Sequence, residues 1–130
     1  MILVDTHVII WLLTDPGRLS GLAHEAILQA RITGERIAYS PVSLYEIAYA
    51  IRRKRLPLNS AAEEFIRAIE GKLTMIPLTA EIAVLAAELP DPFHGDPFDR
   101  IIAATAIIED CVLITHDDRI RKARACKVLW

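Results

Sequence analysis

His94-Gly95-Asp96-Pro97-Phe98-Asp99-Arg100, followed by Ile101-Ile102-Ala103-Ala104-Thr105-Ala106-Ile107-Ile108, is the stretch whose reading decides the fold. Pro97 suits the first position of a helix, where its missing N–H costs nothing. Asp96 then falls at the N-cap, with Asp99 three residues on. The run behind them is apolar on all sides, which predicts a fully buried helix and not an amphipathic one. A buried helix thus begins with two carboxylates, at the end where its dipole favours negative charge. Two readings follow for these acids: helix caps, or part of a cation site at the mouth of a cleft.

Outward from this helix, short apolar runs alternate with helical patterns. Ile2-Leu3-Val4, Ile37-Ala38-Tyr39, Met75 to Leu78 and Val112-Leu113-Ile114 read as buried strands, and Lys127 to Trp130 as a last edge strand. Helices are expected over Val8 to Leu13, Ser20 to about Thr33, Ser40 to about Arg55, and Asn59 or Ser60 to Glu70. Others follow over Ala80 to Leu89 and, as a short basic helix or turn, Arg119 to Ala125. Leu22, Ala23, Ala26, Ile27 and Ala30 share one face of the second helix. Val42, Tyr45, Ala48 and Tyr49 share a face of the third, widened by Leu44, Ile47 and Ile51. Gly34 is a natural C-cap, and Pro57 breaks a helix. The alternation predicts an α/β fold: a three-layer sandwich with a short, mainly parallel sheet of four to five strands flanked by helices. No linker or internal repeat divides it, so residues 1–130 are expected to form a single domain.

The composition agrees with this and excludes several classes. At 130 residues and 53% hydrophobic content the chain can build a proper core. A net charge of -2 does not announce a nucleic-acid binder. Nine of the fifteen Lys and Arg residues nevertheless fall within Arg52–Arg55 and Arg119–Lys127. Cys111 and Cys126 lack metal-type spacing; Cys111 reads as a small buried hydrophobe, and a reducing cytoplasm fits. Asp5 and His7 interrupt the first apolar run, so no signal peptide is expected. No apolar stretch approaches the roughly 20 residues needed to cross a bilayer.

In open parallel α/β sheets, sites form beyond the carboxyl ends of the strands. Asp5 ends the first strand and Asp117 follows the fourth. Glu46 lies near the start of the helix after the second, and Asp99 in the first turn of the buried helix. Each has a plain alternative. Asp5 caps the first helix, Ser43-x-x-Glu46 matches a capping box, and Asp117 or Asp118 caps the last helix. Against those alternatives, Asp5 and Glu46 are embedded in apolar sequence, where an unpaired charge is costly. Converging carboxylates also raise one another's pKa unless a cation joins them. An all-oxygen set selects a hard cation, Mg²⁺ or Mn²⁺, over Zn²⁺, and such a site supports phosphodiester hydrolysis.

Taken together, four motifs resemble a known family. Ile2-Leu3-Val4-Asp5-Thr6, Ser43-x-x-Glu46, the block Asp96-Pro97-Phe98-Asp99-Arg100-Ile101-Ile102-Ala103-Ala104-Thr105-Ala106, and Leu113-Ile114-Thr115-His116-Asp117 stand in the order of a PIN (PilT N-terminus) domain, specifically a VapC-type toxin ribonuclease. The resemblance covers essentially the whole chain. It implies a Mg²⁺- or Mn²⁺-dependent endoribonuclease whose acidic metal site is Asp5, Glu46, Asp99 and Asp117. Asp5 and Asp99 are the principal ligands; Glu46 and Asp117 complete the set directly or through water. Thr115, and Thr6 with it, supply supporting hydroxyls. Asp96 stands open between cap and outer ligand, and Thr-x-Asp selects Asp117 over Asp118. The implied partners are RNA, a small VapB-like antitoxin over the acidic cleft, and a second copy, paired through early and middle helices such as Val42 to Ile51. The alternative is a catalytically inactive PIN-like module that binds RNA or protein.

Other residues carry two readings each. Arg100 either neutralises Asp96 or meets a phosphate. The two basic clusters are solvated helix ends or phosphate contacts. His94 and His116 flank the acids as polar neighbours, whereas Trp11 and the Tyr45/Tyr49 pair are expected in the core or an interface.

Overall fold

Five strands form one wholly parallel sheet in a computed structural model of the chain, which describes residues 1–130 except Pro57, Asn59 and Ser60. They are β1 (Ile2–Val4), β2 (Ile37–Tyr39), β3 (Thr74–Met75), β4 (Val112–Ile114) and β5 (Val128–Leu129), in the order β3-β2-β1-β4-β5. β1 is central: Leu3 lies opposite Ala38 on one side and Leu113 on the other. The two-residue period of a strand divides the core. Ile2, Val4, Ile37, Tyr39 and Ile114 face one layer, with α1 (Thr6–Thr14), α2 (Gly21–Thr33), α3 (Pro41–Arg52) and α4 (Ala62–Glu70). Leu3, Ala38 and Leu113 face the other, with α5 (Ala80–Glu88), α6 (Pro97–Ile108) and α7 (Asp118–Ala123). This is the three-layer α/β sandwich expected from the alternation of strand and helix patterns.

Local signals set most helix ends. Ser20 accepts the Ala23 N–H at 3.1 Å and Thr79 the Ile82 N–H at 3.2 Å, so both are side-chain N-caps. Gly34 ends α2 at a φ of 73°, the left-handed conformation that favours glycine. Helix α6 starts at Pro97, as its sequence predicts. Residues 102–106 are buried, while Ile101, Ile107 and Ile108 are half-buried, so only its centre is enclosed on all sides. Ile102, fully buried under the sheet, would cost about 2–5 kcal/mol as alanine.

Several expectations need correction. β3 stops at Met75 and does not reach Leu78: the Ile76 N–H still reaches the Tyr39 carbonyl at 3.0 Å, but Pro77 has no N–H to continue the ladder. α3 ends at Arg52, short of Arg55, because the backbone turns through Lys54 at a φ of 54°. Leu22, expected on the apolar face of α2, is exposed. Tyr45 and Tyr49 also face outward, and Leu44, Ile47 and Ile51 form the inner stripe of α3. The helix break at Pro57 and the cap at Asn59 or Ser60 lie outside the described residues. Cys111 is buried and both cysteines are free thiols.

Candidate acidic site at the sheet switch point

Strand order runs β3-β2-β1 in one direction and β4-β5 in the other, so β1 and β4 flank the switch point where open parallel sheets place their sites. Asp5 leaves β1 there and Asp117 follows β4. Asp5 is 3% exposed. Its Oδ1 accepts the His7 N–H at 3.4 Å, a long capping bond, while its Oδ2 accepts the hydroxyl of Thr115. Thr115 is itself buried, and its Oγ1 accepts the Asp117 N–H at 3.0 Å. One hydroxyl therefore ties the ends of the two central strands together.

Glu46 reaches the same edge from α3. The helix begins at Pro41 with Ser40 as N-cap, three residues before Ser43, so Ser43-x-x-Glu46 is not a capping box. Instead the Thr6 hydroxyl donates to Glu46 Oε1 at 2.6 Å and lies 2.9 Å from the Ser43 hydroxyl. Asp99 enters from the first turn of α6. Asp96 caps that helix, accepting the Phe98 and Asp99 N–H groups at 3.0 and 3.2 Å, and is exposed. Asp117 caps α7 through the Arg119 N–H at 2.7 Å. Its side chain is 23% exposed, against 68% for Asp118, which pairs outward with Arg121 at 2.9 Å.

Two hydrogen-bonding partners of these acids were not picked out as such in the sequence. His94 Nε2 lies 2.6 Å from Asp99 Oδ2. Arg119 Nη2 donates to Asp117 Oδ2 at 2.8 Å and to Asp99 Oδ2 at 3.3 Å, bridging them. The available signals were small: a histidine five residues before Asp99, and an arginine two residues after Asp117. Arg100, in contrast, meets neither Asp96 nor the cleft. Its guanidinium donates to the carbonyls of Ala86, Ala87, Leu89, Phe93 and His94, closing the end of α5.

The electrostatics follow from this crowding. Burial pushes the Asp5 pKa up, against the Thr115 hydroxyl, which lowers it. Burial also raises Glu46, opposed by Thr6 and reinforced by the charges of Asp5, Asp99 and Asp96. Asp99 is raised by burial and by Asp96, Asp5 and Asp117, with His94 pulling the other way. Asp117 differs: burial pushes it up, but the hydrogen bonds and charge of Arg119 outweigh that and hold it down. Only the acid gripped closely by the guanidinium is a comfortable anion, so the site as a whole favours added positive charge. Its all-oxygen donor set suits a hard divalent cation. Among the described residues no three His, Cys, Asp or Glu side chains are gathered tightly enough to grasp one ion as they stand.

A parallel α/β sandwich that brings carboxylates to the switch point of its sheet belongs to the class of single-sheet domains that collect acids at strand ends. Within that class the chain belongs to the PIN domain family, whose model matches residues 2–125. It is 33% identical over 123 residues to Ribonuclease VapC22 of Mycobacterium tuberculosis (strain ATCC 25618 / H37Rv), an alignment covering 95% of this chain and 92% of that protein. Its fold is similar to a chain in the structure of VapBC2 from Rickettsia felis bound to a DNA fragment from their promoter, with a TM-score of 0.74 and 18% identity. That match covers 99% of this chain and 98% of the other. A toxin–antitoxin complex from Klebsiella pneumoniae contains another such chain, with a TM-score of 0.69, 21% identity, and coverage of 100% and 97%.

Proposed function

We propose that the chain is a Mg²⁺- or Mn²⁺-dependent endoribonuclease, the toxin of a type II toxin–antitoxin pair, which adds water across RNA phosphodiester bonds in the cleft of Asp5, Glu46, Asp99 and Asp117. The observation that carries this reading is that four carboxylates come to the β1/β4 switch point near enough to feel one another's charge, three of them with pKa values pushed up, chiefly by burial. Asp5 and Asp99 are the principal metal ligands, and Glu46 and Asp117 complete the set directly or through water. Thr115 and Thr6 hold Asp5 and Glu46 in place, and Asp96 serves as the cap of α6. When bound, a divalent cation supplies charge stabilisation for phosphodiester cleavage. Arg119 must release Asp99 before that carboxylate can turn to an ion, and its 60% exposure leaves it room to do so.

The similarity to Ribonuclease VapC22 and to chains of VapBC complexes supports a nuclease with a VapB-like antitoxin; in this reading the antitoxin covers the four acids. The protein acts as one domain, forms a homodimer and works in the cytoplasm. Among the described residues no helix is long and apolar enough to cross a membrane. The rival reading, an inactive PIN module that binds RNA or protein, draws on the same Arg119 bridge, a built-in cation between two of the acids. Incubating purified protein with RNA in Mg²⁺, Mn²⁺ or EDTA separates the two. Cleavage in either metal that EDTA abolishes supports the nuclease. Binding without cleavage in all three conditions supports the rival.

A further inference from the structure

A carboxylate that holds an ion with one oxygen is directed by whatever holds the other, because donors fixed around a ligand set its orientation. Asp99 is placed for such an arrangement. Its Oδ2 takes two hydrogen bonds, from His94 Nε2 at 2.6 Å and from Arg119 Nη2 at 3.3 Å. Among the described residues no hydrogen bond reaches its Oδ1. The two donors differ in how firmly they are held. The side chain of Arg119 is 60% exposed and that of His94 18%. The His94 ring stacks on the buried ring of Phe93, with centroids 4.9 Å and planes 15° apart. Arg100 fixes the same two residues through their main chain, donating to the Phe93 and His94 carbonyls at 3.4 and 3.3 Å.

Packing alone does not explain a histidine at this position. Its Nδ1 is buried and has no hydrogen-bond partner among the described residues, which is costly for a polar atom. A phenyl ring would stack on Phe93 without that cost. What the phenyl ring would lack is Nε2, the nitrogen that does find a partner. An ionised carboxylate only accepts, so Nε2 carries the proton it shares with Asp99, in the neutral ring and the cation alike.

We propose that His94 is a positioning residue: it fixes Asp99 Oδ2 and so keeps Oδ1 open to a divalent cation. This rests on the nuclease reading of the acidic site. In that reading Arg119 releases Asp99 to the ion, whereas His94, held by Phe93 and Arg100, keeps its bond.

Titration calorimetry of the full chain with Mn²⁺, beside thermal melts in EDTA and RNA cleavage in Mn²⁺, tests this with three substitutions. His94→Phe keeps the stack and loses the donor. His94→Gln loses the ring but carries an N–H where Nε2 stands, and His94→Asn carries one only where Nδ1 stands. His94→Phe and His94→Asn should each weaken Mn²⁺ affinity by about 10- to 100-fold, and His94→Gln should restore most of it. Unchanged Mn²⁺ affinity in His94→Phe overturns the role and assigns the histidine to its stack on Phe93. Equal losses in His94→Phe and His94→Gln, in proteins that still melt cooperatively, overturn it as well and make Nε2 a ligand of the ion itself. Either result leaves the nuclease standing where the unaltered chain cleaves RNA. The expected Mn²⁺ pattern without cleavage by the unaltered chain does the reverse. An unaltered chain that binds no Mn²⁺ overturns both.

Discussion

The Thr6 hydroxyl donates to the Glu46 carboxylate at 2.6 Å, joining two residues 40 positions apart. With the Thr6–Ser43 hydroxyl contact at 2.9 Å, it ties α3 to the end of β1. Thr6→Val removes the donor and keeps the shape. A hydrogen bond to a charged group contributes about 1.5–3 kcal/mol, so the midpoint temperature should fall by several degrees at pH 7. Burial already pushes the Glu46 pKa up, and losing the Thr6 bond should push it further. Thr6→Ser keeps the donor and should restore both quantities. Thermal melts of the three proteins check this, and a Thr6→Val midpoint equal to that of the unaltered protein would contradict it.

Stability without metal should decline as pH rises above the ordinary carboxylate range. Asp5, Glu46 and Asp99 have folded-state pKa values above their unfolded ones, with burial the largest cause. The folded chain therefore holds these protons more tightly. Their contribution is fully present below about pH 4 and is lost as pH climbs through the raised values. Asp117, held down by Arg119, acts oppositely: its contribution is present above about pH 4 and lost as pH falls through its lowered value. Denaturant titrations in EDTA between pH 4 and 8 should show the decline, and Asp99→Asn should flatten it. A slope that the substitution leaves intact would count against the crowded site.

Arg119 bridges Asp99 and Asp117, so under the proposed function it would compete with a divalent ion for both. Arg119→Gln should lower the metal-free midpoint temperature and tighten Mn²⁺ binding by about fivefold or more, the usual scale of coupling between two ligands of one site. Titration calorimetry with Mn²⁺ alone reads this directly. Equal Mn²⁺ affinity in both proteins would show that the bridge does not guard the acids.

Arg100 follows Asp99 in the sequence but turns away from the acids, and it should behave differently. Its bonds all go to main-chain carbonyls around the end of α5, so Arg100→Gln should cost about 2–3 kcal/mol of stability. Denaturant unfolding should record that loss. RNA cleavage per folded molecule should stay near that of the unaltered chain.

Much of this was legible because short-range physics dictated it. Asp96-Pro97 ahead of a long apolar run reads as a helix start, and the apolar runs Ile2-Leu3-Val4 and Val112-Leu113-Ile114 read as strands from their composition alone. That Asp5 and Asp117 share a sheet edge follows from parallel strands; that they flank its switch point required the strand order, which depends on crossovers. α3 misled because it carries two apolar stripes. Only packing selects Leu44, Ile47 and Ile51 as the inner one and leaves Tyr45 and Tyr49 outside. Ser43-x-x-Glu46 matched a local motif that a helix start three residues earlier overrules. The carbonyl partners of Arg100 and the reach of Arg119 to Asp99 are tertiary, and the His94–Asp99 spacing of five residues is too weak a signal to announce a contact by itself.

The central claim is that the converging acids act in catalysis and do not merely cap helices. Asp5→Asn tests it most directly, because asparagine is as good an N-cap as aspartate and nearly the same shape. RNA cleavage is measured for the unaltered chain, Asp5→Asn and Asp96→Asn in one Mn²⁺ buffer. The account predicts that Asp5→Asn loses about 10²-fold or more, as when a charge-stabilising group is removed from a transition state. Asp96→Asn, a cap in both readings, should keep most of the activity. Cleavage by Asp5→Asn at the rate of the unaltered chain would contradict the account.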